Sequence, residues 1–312
     1  MTMRIKTTTY DSGLDKFNRT SNVTNLCFNL VFIILALICV IPVVVVLSIS
    51  LSSEASIRET GYHILPTVLS GEAYGYIVKQ GSMILRAFGV SALVTVVGTI
   101  LGVFLTTSMG YVISRPTYKL KGFLTWVVFI PMVFNGGLVS SYFINSNLLG
   151  LKDSVWALIL PLAVSSFNVI ICKTFFKSTI PDGLIESAEI DGASQLRIFF
   201  SIILPISLPV IATIGLFLCF GYWNDWFQSM LYIDNQNLYS LQALLNSLMS
   251  NVDALAKNAA SMGVSYALLV ATMPKESARM AVAILIVLPV AFAYPFFQKY
   301  FISGLTIGAV KG

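Results

Sequence analysis

The sequence predicts an all-α integral membrane protein with six transmembrane helices. Hydrophobic residues make up 56% of the 312 residues and charged residues only 11%, and the mean hydropathy is +0.84. Such a composition cannot form an ordinary water-facing surface. An apolar helix of about 20 residues crosses the hydrocarbon core of a bilayer. Six segments meet this requirement, namely 26–51, 86–110, 122–144, 154–172, 202–221 and 278–297.

The first segment is read as a true span and not as a secretion signal. It follows a polar, charged tail, it exceeds the apolar core of a signal peptide, and no small-residue cleavage site follows it. Six spans also place both chain ends on the same side of the membrane. We therefore expect an N-terminal tail of residues 1–25, a six-span domain of residues 26–297 and a C-terminal tail of residues 298–312.

Lysine and arginine predict the orientation, because basic residues in short loops tend to stay in the cytoplasm. The side that holds both termini carries twelve of them, and the other side carries seven. We therefore expect cytoplasmic tails, with the loop 173–201 on the same side, and the net charge of +5 reflects topology instead of nucleic-acid binding. The twelve are Arg4, Lys6, Lys16, Arg19, Arg115, Lys119, Lys121, Lys173, Lys177, Arg197, Lys299 and Lys311; the seven are Arg58, Lys79, Arg86, Lys152, Lys257, Lys275 and Arg279.

The chain offers no pattern typical of an enzyme or a metal protein. Its four cysteines, Cys27, Cys39, Cys172 and Cys219, lack paired spacing, and its single histidine, His63, has no ligand set nearby. A G-x-x-x-x-G-K-[ST] phosphate cradle is also missing from the sequence. We expect no catalytic residue, no metal site and no cofactor bound by this chain, so any energy source must lie on another protein.

A polar block interrupts this apolar chain at residues 185–205. Pro181 and Asp182 suit the start of a helix, since an acid in the first turn complements the helix dipole, and a short helix is expected from about Leu184. Glu186 and Glu189 then share one face. The neighbouring face carries Ile185, Ala188 and Gly192, and the glycine is expected to break or bend the helix.

A second amphipathic helix is predicted to follow this break and to run into the fifth span. Its apolar spacing is that of Leu196, Phe199, Phe200 and Ile203. A helix that only lies on the membrane is one interpretation, but such helices usually carry basic residues towards anionic lipid. Three acids against the single Arg197 instead favour a basic protein partner.

These residues resemble the EAA loop of ATP-binding-cassette importer permeases, E-A-A-x-x-x-G followed ten residues later by I-x-L-P. Ser187 replaces the usual alanine. The stretches NDWF at 224–227, LYSLQALL at 238–245 and YFISGLTIGAVKG at 300–312 are similar to the carbohydrate-uptake branch related to maltose permease subunits. The matching loop residues are Glu186, Ser187, Ala188, Asp191, Gly192, Ala193, Ile202, Leu204 and Pro205.

The resemblance implies the type I importer permease fold and a multi-pass protein of the bacterial cell membrane, surrounded by lipid. It implies a second, dissimilar permease subunit, two ATPase subunits that hold ATP and Mg, and an extracytoplasmic sugar-binding protein. The loop 173–201 would be the coupling loop. By this resemblance Glu186 pairs with a basic residue of the ATPase, Ser187 and Ala188 allow close approach, and Gly192 makes a turn.

Aromatic residues at the outer end of the fifth span have two interpretations. Stacking on sugar rings is one, and an interfacial aromatic belt is the other and the more common. Few ionisable groups fall within the spans, which argues against proton or sodium coupling and suits a neutral substrate. The residues concerned are Tyr222, Trp223, Asn224 and Trp226.

The sequence therefore predicts a permease subunit for a carbohydrate, and an oligosaccharide is the favoured substrate. The outside segments 228–278 and 52–84 are expected to meet the binding protein. Two alternatives stay open: the same architecture carrying a peptide or a polyol, and a membrane scaffold or receptor that uses the acidic loop only for recruitment. The sequence does not identify the sugar, because specificity is divided among several subunits.

Overall fold

The computed structural model describes residues 22–79, 81–258 and 274–309. Within these ranges the chain forms helices and no strand, apart from an isolated bridge between Ser52 and Leu69. The all-α class is confirmed. The described residues leave out most of the predicted N-terminal tail, residues 259–273 of the long outside loop and the last three residues.

The helices differ widely in length, and several short ones flank the long apolar ones. In the first half they are α1 Asn22–Ser50, α2 Glu54–Thr60, α3 Glu72–Lys79, α4 Gly81–Ser114, α5 Lys121–Val133, α6 Gly137–Phe143 and a π-helix Ile144–Leu148. In the second half they are α7 Val155–Ile159, a 3-10 turn Leu160–Leu162, α8 Ser166–Thr179, α9 Asp182–Ile190, α10 Gln195–Ile198, a π-helix Phe199–Ile203, α11 Leu204–Ile206, α12 Leu208–Trp223, α13 Phe227–Tyr232, a 3-10 turn Gln236–Leu238, α14 Leu241–Asn258 and α15 Glu276–Ala309.

Three of these helices, α1, α4 and α15, are long and apolar enough to cross a membrane, and the number rises to five if each of two bent helix pairs counts as one span. The bent pairs, 155–179 and 195–223, cover the predicted fourth and fifth segments. The third segment, 122–144, differs from the prediction because α5 has only 13 residues. Its helix ends where Asn135 bonds the amide of Gly137, whose φ is +83°. The count of six spans stays a prediction.

The fifth segment bends by 83° between α11 and α12. Pro209 lacks an amide hydrogen, and its ring would clash with the carbonyl group of Pro205, four residues earlier, in a continuous helix. The chain turns at Ser207, which is fully buried. The predicted span 202–221 therefore begins as a separate short arm that leads from the polar block, and the straight helix starts only at Leu208.

Helix α4 is the centre of the bundle, packing against α8 on one side and α12 on another. Three glycines spaced along it allow this close approach. A Cβ atom at Gly98 would lie 2.5 Å from the ring of Tyr222, and one at Gly110 would lie 2.5 Å from Cβ of Cys172. At Gly102 it would lie 2.7 Å from the carbonyl oxygen of Ala163. Small residues spaced four apart are typical of packed membrane helices.

The first and last long helices pack together and are joined at one end by a buried carboxylate. Glu54, only 5% exposed, accepts hydrogen bonds from the amides of Glu276 and Ser277 and from the Ser277 hydroxyl, at 3.0–3.3 Å. An acid at the first amides of a helix satisfies donors that lack an intrahelical partner and complements the helix dipole. Most of α1 is otherwise exposed, as expected of a lipid-facing helix.

Candidate coupling site

The polar block folds into a short helix, α9, joined by a turn to the arm α10. Helix α9 begins at Asp182, two residues before the expected start, and Pro181 precedes it with extended backbone. The predicted loop 173–201 is largely helical, because α8 continues to Thr179. Ile185 and Ala188 are buried, whereas Glu186 and Glu189 are exposed on the opposite side.

Gly192 makes the turn between the two helices. Its φ is +76°, a conformation that costs a residue with a Cβ atom about 1 kcal/mol or more. The amide of Ala193 donates to the carbonyl of Ala188, and the amide of Gly192 donates to that of Glu189, both at 2.9 Å. This paired pattern ends a helix sharply. Asp191, the exposed residue before the glycine, caps α9.

An ion pair ties the first turn of α9 to the end of the central helix α4. Nη1 of Arg115 lies 3.0 Å from Oδ1 of Asp182, with the arginine side chain 11% exposed and the aspartate 62% exposed. The guanidinium also lies over the ring of Tyr111 and donates to the Ser114 hydroxyl. Sequence reasoning missed Arg115, since its partner is 67 residues away and nothing local signals the pair.

The arm after Gly192 buries only two of the four residues that define its apolar spacing. Ile198, Phe199 and Ile203 are buried, but Leu196 is 72% exposed and Phe200 is 50% exposed. The π-helix at Phe199–Ile203 inserts one extra residue per turn and so shifts the apolar spacing away from that of a regular α-helix. Leu196 and Phe200 therefore do not share the buried side of the arm with Phe199 and Ile203, although the four residues have the spacing of one helix face.

Leu196 and Phe200 instead line an apolar cavity of about 410 Å³ between the arm, α9 and the end of α4. Tyr111, Arg115 and Glu189 also line this cavity. The polar block is therefore held against the bundle by the Arg115–Asp182 ion pair and by its buried residues, and the cavity separates the rest of the arm from α4.

The outward side of α9 combines acidic and apolar groups. Glu186 is exposed, and within the described ranges its carboxylate has no hydrogen bond or ion pair. Glu189 differs, because it accepts a 2.5 Å hydrogen bond from the side chain of Gln195. Ile190 is 86% exposed. Ser187 donates to the carbonyl of Gly183 at 2.6 Å, so its hydroxyl is turned back onto its own helix.

The last residues of the matched loop lie beyond the arm's π-helix. Leu204 and Pro205 belong to the three-residue helix α11, just before the 83° bend at Ser207. Leu204 is half-buried against the core, whereas Pro205 is exposed. The structure therefore places these two residues at the joint between the polar block and the fifth span, away from the outward side of α9.

Of the four outer-end residues, two serve packing. Tyr222 is buried, and its hydroxyl donates to the carbonyl of Ile159 at 2.7 Å. Trp223 is also buried, and its indole nitrogen donates to the carbonyl of Ile286 at 3.1 Å. The amide of Asn224 bonds back to its own helix at the carbonyl of Phe220. Trp226 is 42% exposed and lines a cavity, and Trp223 lines a separate, smaller one.

The described residues hold no group of three or more histidine, cysteine, aspartate or glutamate side chains that could bind a metal. The four cysteines are free thiols. The site consists of the exposed acidic side chains of α9 next to the Gly192 turn. Such a surface is suited to binding another protein.

An apolar helical bundle that presents a short acidic helix on a glycine turn defines a membrane permease of the importer class. The family described as binding-protein-dependent transport system inner membrane component matches residues 95–307. This match covers more than half of the chain, so the chain belongs to that family. It is a transport permease of type I importer fold and spans the membrane several times.

The relatives include carbohydrate permeases. The polygalacturonan/rhamnogalacturonan transport system permease protein YtcP of Bacillus subtilis is 38% identical over 277 residues, covering 89% of this chain and 94% of that protein. The arabinooligosaccharides transport system permease protein AraQ of the same organism is 28% identical over 294 residues, covering 93% and 97%. These relatives support a carbohydrate permease.

The fold likeness extends to a solved transporter. The crystal structure of a bacterial ABC transporter involved in the import of the acidic polysaccharide alginate contains a chain that matches with a TM-score of 0.74 at 25% identity. The match covers 91% of this chain and 99% of that chain. The architecture described above is therefore that of an importer permease over nearly its whole length.

Proposed function

We propose that this chain is the membrane-spanning permease subunit of an ATP-driven importer for an oligosaccharide, in a bacterial cell membrane. It works with a second, dissimilar permease subunit, two ATPase subunits that bind ATP and Mg, and an extracytoplasmic sugar-binding protein. The chain itself binds no cofactor. Both termini and the polar block face the cytoplasm, as the excess of basic residues on that side indicates.

The observation that carries this proposal is the exposed outward side of α9 on its braced turn. Glu186, Asp191 and Ile190 face away from the bundle, and Ser187 is a small exposed residue between them. Ala188 and Ala193 pack against the bundle instead, so their small side chains let α9 lie close to it. An exposed acid and an apolar side chain together suit a groove with a basic rim. Closure of the ATPase pair would push on α9, and Arg115 would pass this movement to α4.

Helix α9 would pass the movement to the fifth span as well. The arm from Gln195 to Ile206 meets α12 at the 83° bend, with Leu204 and Pro205 just before the joint. A rigid arm at a steep angle turns a push along α9 into a rotation of α12. This is the rocking motion between inward- and outward-facing states that an importer needs.

Replacement of Glu186 by lysine tests the coupling role. If Glu186 pairs with a basic residue of the ATPase, lysine introduces like-charge repulsion and an unpaired charge at the contact, worth roughly several kcal/mol. The variant should insert normally but lose its ATPase subunits on purification and fail to import sugar. Glu59→Lys, an exposed glutamate of α2, makes the same charge change away from α9 and should keep its ATPase subunits on purification.

The opposite result would come from a helix that merely lies on the bilayer. Lysine facing anionic lipid would strengthen attachment by about 1 kcal/mol and leave import unharmed. If Glu186→Lys keeps its ATPase partners and imports at the wild-type rate, Glu186 has no coupling role. Labelling of a cysteine placed within 182–195 from outside the cell would contradict the proposed orientation.

The ATPase activity of the assembled complex distinguishes a transporter from a membrane scaffold. A transporter hydrolyses ATP faster when the loaded binding protein is added, whereas a scaffold does not respond to solute. Within transport, the relatives named for polygalacturonan, rhamnogalacturonan and alginate make acidic oligosaccharides the first substrates to try, before peptides and polyols.

A further inference from the structure

The predicted third span is interrupted by a short stretch of non-helical backbone. Helix α5 ends at Val133 and α6 begins at Gly137, so residues 134–136 belong to no helix. Pro131 lies in the last turn of α5, and the φ of Gly137 is +83°, which no regular helix contains. We call residues 134–136 the helix break.

Packing places the helix break within the membrane. Val128 of α5 is buried with Ile113, close to the end of α4, and α4 is long and apolar enough to cross the bilayer. In the other direction, Asn145 bonds to the hydroxyl of Tyr232, which lies beyond the far end of α12. At the rise of an α-helix, the break is about 10 Å from Val128 and about 13 Å from Asn145. The sum is less than the roughly 30 Å of a hydrocarbon core, so the break lies inside that core.

The helix break is uncovered in this chain and has unpaired backbone groups. Phe134 is 73% exposed, and Asn135 and Gly136 are exposed as well. Among the described residues, the amides of Asn135 and Gly136 have no hydrogen-bond acceptor. Helix α6 also begins without a side-chain cap, and the last carbonyl groups of any helix lack an intrahelical donor. The break therefore presents both donors and acceptors.

Lipid cannot cover these groups, because acyl chains neither donate nor accept hydrogen bonds. Non-helical backbone at membrane depth occurs only where protein buries it or where it lines a water-filled cavity. The residues here favour water, since Asn135 and Ser140 are polar and exposed. A Cβ atom at Gly136 would meet only Cβ of Ser140, at 3.8 Å, so the backbone of the break is open to small polar molecules.

We propose that the helix break lines a water-filled passage between this chain and the second permease subunit, and that hydroxyl groups of the passing oligosaccharide bond to it. Sugar hydroxyls both donate and accept, as do the backbone groups of the break. The side chain of Asn135 adds an amide donor, because its Oδ1 already accepts from Gly137 at 2.8 Å. This inference rests on the proposed function and adds the place where the sugar meets this chain.

The test labels single cysteines in the complete importer, with its binding protein, in proteoliposomes. Asn135→Cys should react with a charged, water-soluble methanethiosulfonate, because a thiolate forms in water and the reagent does not enter hydrocarbon. Mass spectrometry of the labelled peptide separates this site from the natural cysteines. Arabinotriose and trigalacturonate are the probes, and whichever the wild type imports should slow the reaction. Leu35→Cys, in the middle of α1 and 52% exposed, should stay unlabelled because lipid surrounds it.

A second variant tests the passage without cysteine chemistry. Gly136→Trp should fold, since the backbone at Gly136 is in the ordinary right-handed region and the space around it is open. Its side chain would fill the passage, so most sugar uptake should be lost while the ATPase subunits still co-purify. Gly122→Trp is the matched control, because Gly122 is also exposed and in open space but lies in the first turn of α5. It should import as the wild type does.

Three outcomes would overturn the inference. Asn135→Cys that stays unlabelled in the assembled importer would mean that the partner subunit buries the break. Labelling at the same rate with and without the imported sugar would mean that the sugar does not pass it. Wild-type uptake by Gly136→Trp would exclude a passage at this point. All three leave the proposed function standing, whereas a wild-type complex that imports no carbohydrate would overturn the proposed function and this inference with it.

Discussion

The guanidinium of Arg115 lies 3.0 Å from the carboxylate of Asp182 and joins the end of the central helix α4 to the first turn of α9. The arginine side chain is nearly buried, and its neighbours are the ring of Tyr111 and the hydroxyl of Ser114. A movement of α9 therefore reaches α4 through a charged contact as well as through apolar packing.

Asp182→Asn should uncouple transport from ATP hydrolysis without releasing the ATPase. Removing one partner leaves the charge of Arg115 poorly compensated, at a cost of about 1–3 kcal/mol, reduced by the exposure of Asp182. We expect uptake to fall roughly five- to ten-fold while the ATPase subunits still co-purify. Asp234→Asn, which removes an exposed ion pair to Lys152, is the control and should leave the amount of ATP hydrolysed per imported sugar unchanged. Equal uptake by both variants would show that the Arg115 contact carries no movement.

Gly192→Val should impair docking of the ATPase while leaving membrane insertion intact. The space around Gly192 is open, so the cost comes from its φ of +76°, which a β-branched residue adopts only with strain. Co-purification of the ATPase subunits and sugar uptake measure the effect. Gly183→Val is the control, since Gly183 also lies in open space but in regular helix. Normal transport by Gly192→Val would remove the role of the turn.

Asp225 should make stability depend on pH in an unusual direction. Burial raises the pKa of this carboxyl from 3.8 to about 6, against the opposing effect of hydrogen bonds from the amides of Gln228 and Phe227. The folded protein thus binds more protons than the unfolded chain between about pH 4 and pH 6, and the contribution of Asp225 to stability is lost as pH rises through this window.

Asp225→Asn tests this dependence, because asparagine stays neutral at every pH in the window. Relative to the wild type, the variant should gain up to about 3 kcal/mol between pH 4 and pH 7. Thermal unfolding in detergent at both pH values measures the difference. A difference that does not change with pH would mean that the carboxyl titrates near its ordinary pKa.

Tyr222→Phe should lower stability without changing the KM for sugar. The substitution leaves the buried carbonyl of Ile159 without the 2.7 Å hydrogen bond that it now accepts, a cost of about 1–2 kcal/mol. We expect a melting temperature lower by a few degrees and an unchanged KM. Trp226→Phe should leave the melting temperature unchanged and raise the KM for sugar, because its ring is exposed. A raised KM in Tyr222→Phe would restore a direct role in the substrate path.

The amino-acid sequence by itself determined the class of the protein and the place of its polar block. Composition demands a lipid-facing surface, and helix periodicity puts Glu186 and Glu189 on the side opposite Ile185 and Ala188, because both depend only on local spacing. The backbone freedom of Gly192 likewise indicated a turn. These features need no information about distant residues.

Tertiary structure alone decided which residues meet. Arg115 pairs with Asp182, Glu54 caps α15, and Arg279 shares a cavity with Trp226, although each pair is far apart in the chain. Leu196 and Phe200 are exposed near the π-helix at Phe199–Ile203, although their spacing is that of one apolar helix face. Tyr222 is buried because α4 packs closely against its ring at Gly98. Local patterns fix how a helix turns, but only packing between helices fixes what each side chain faces.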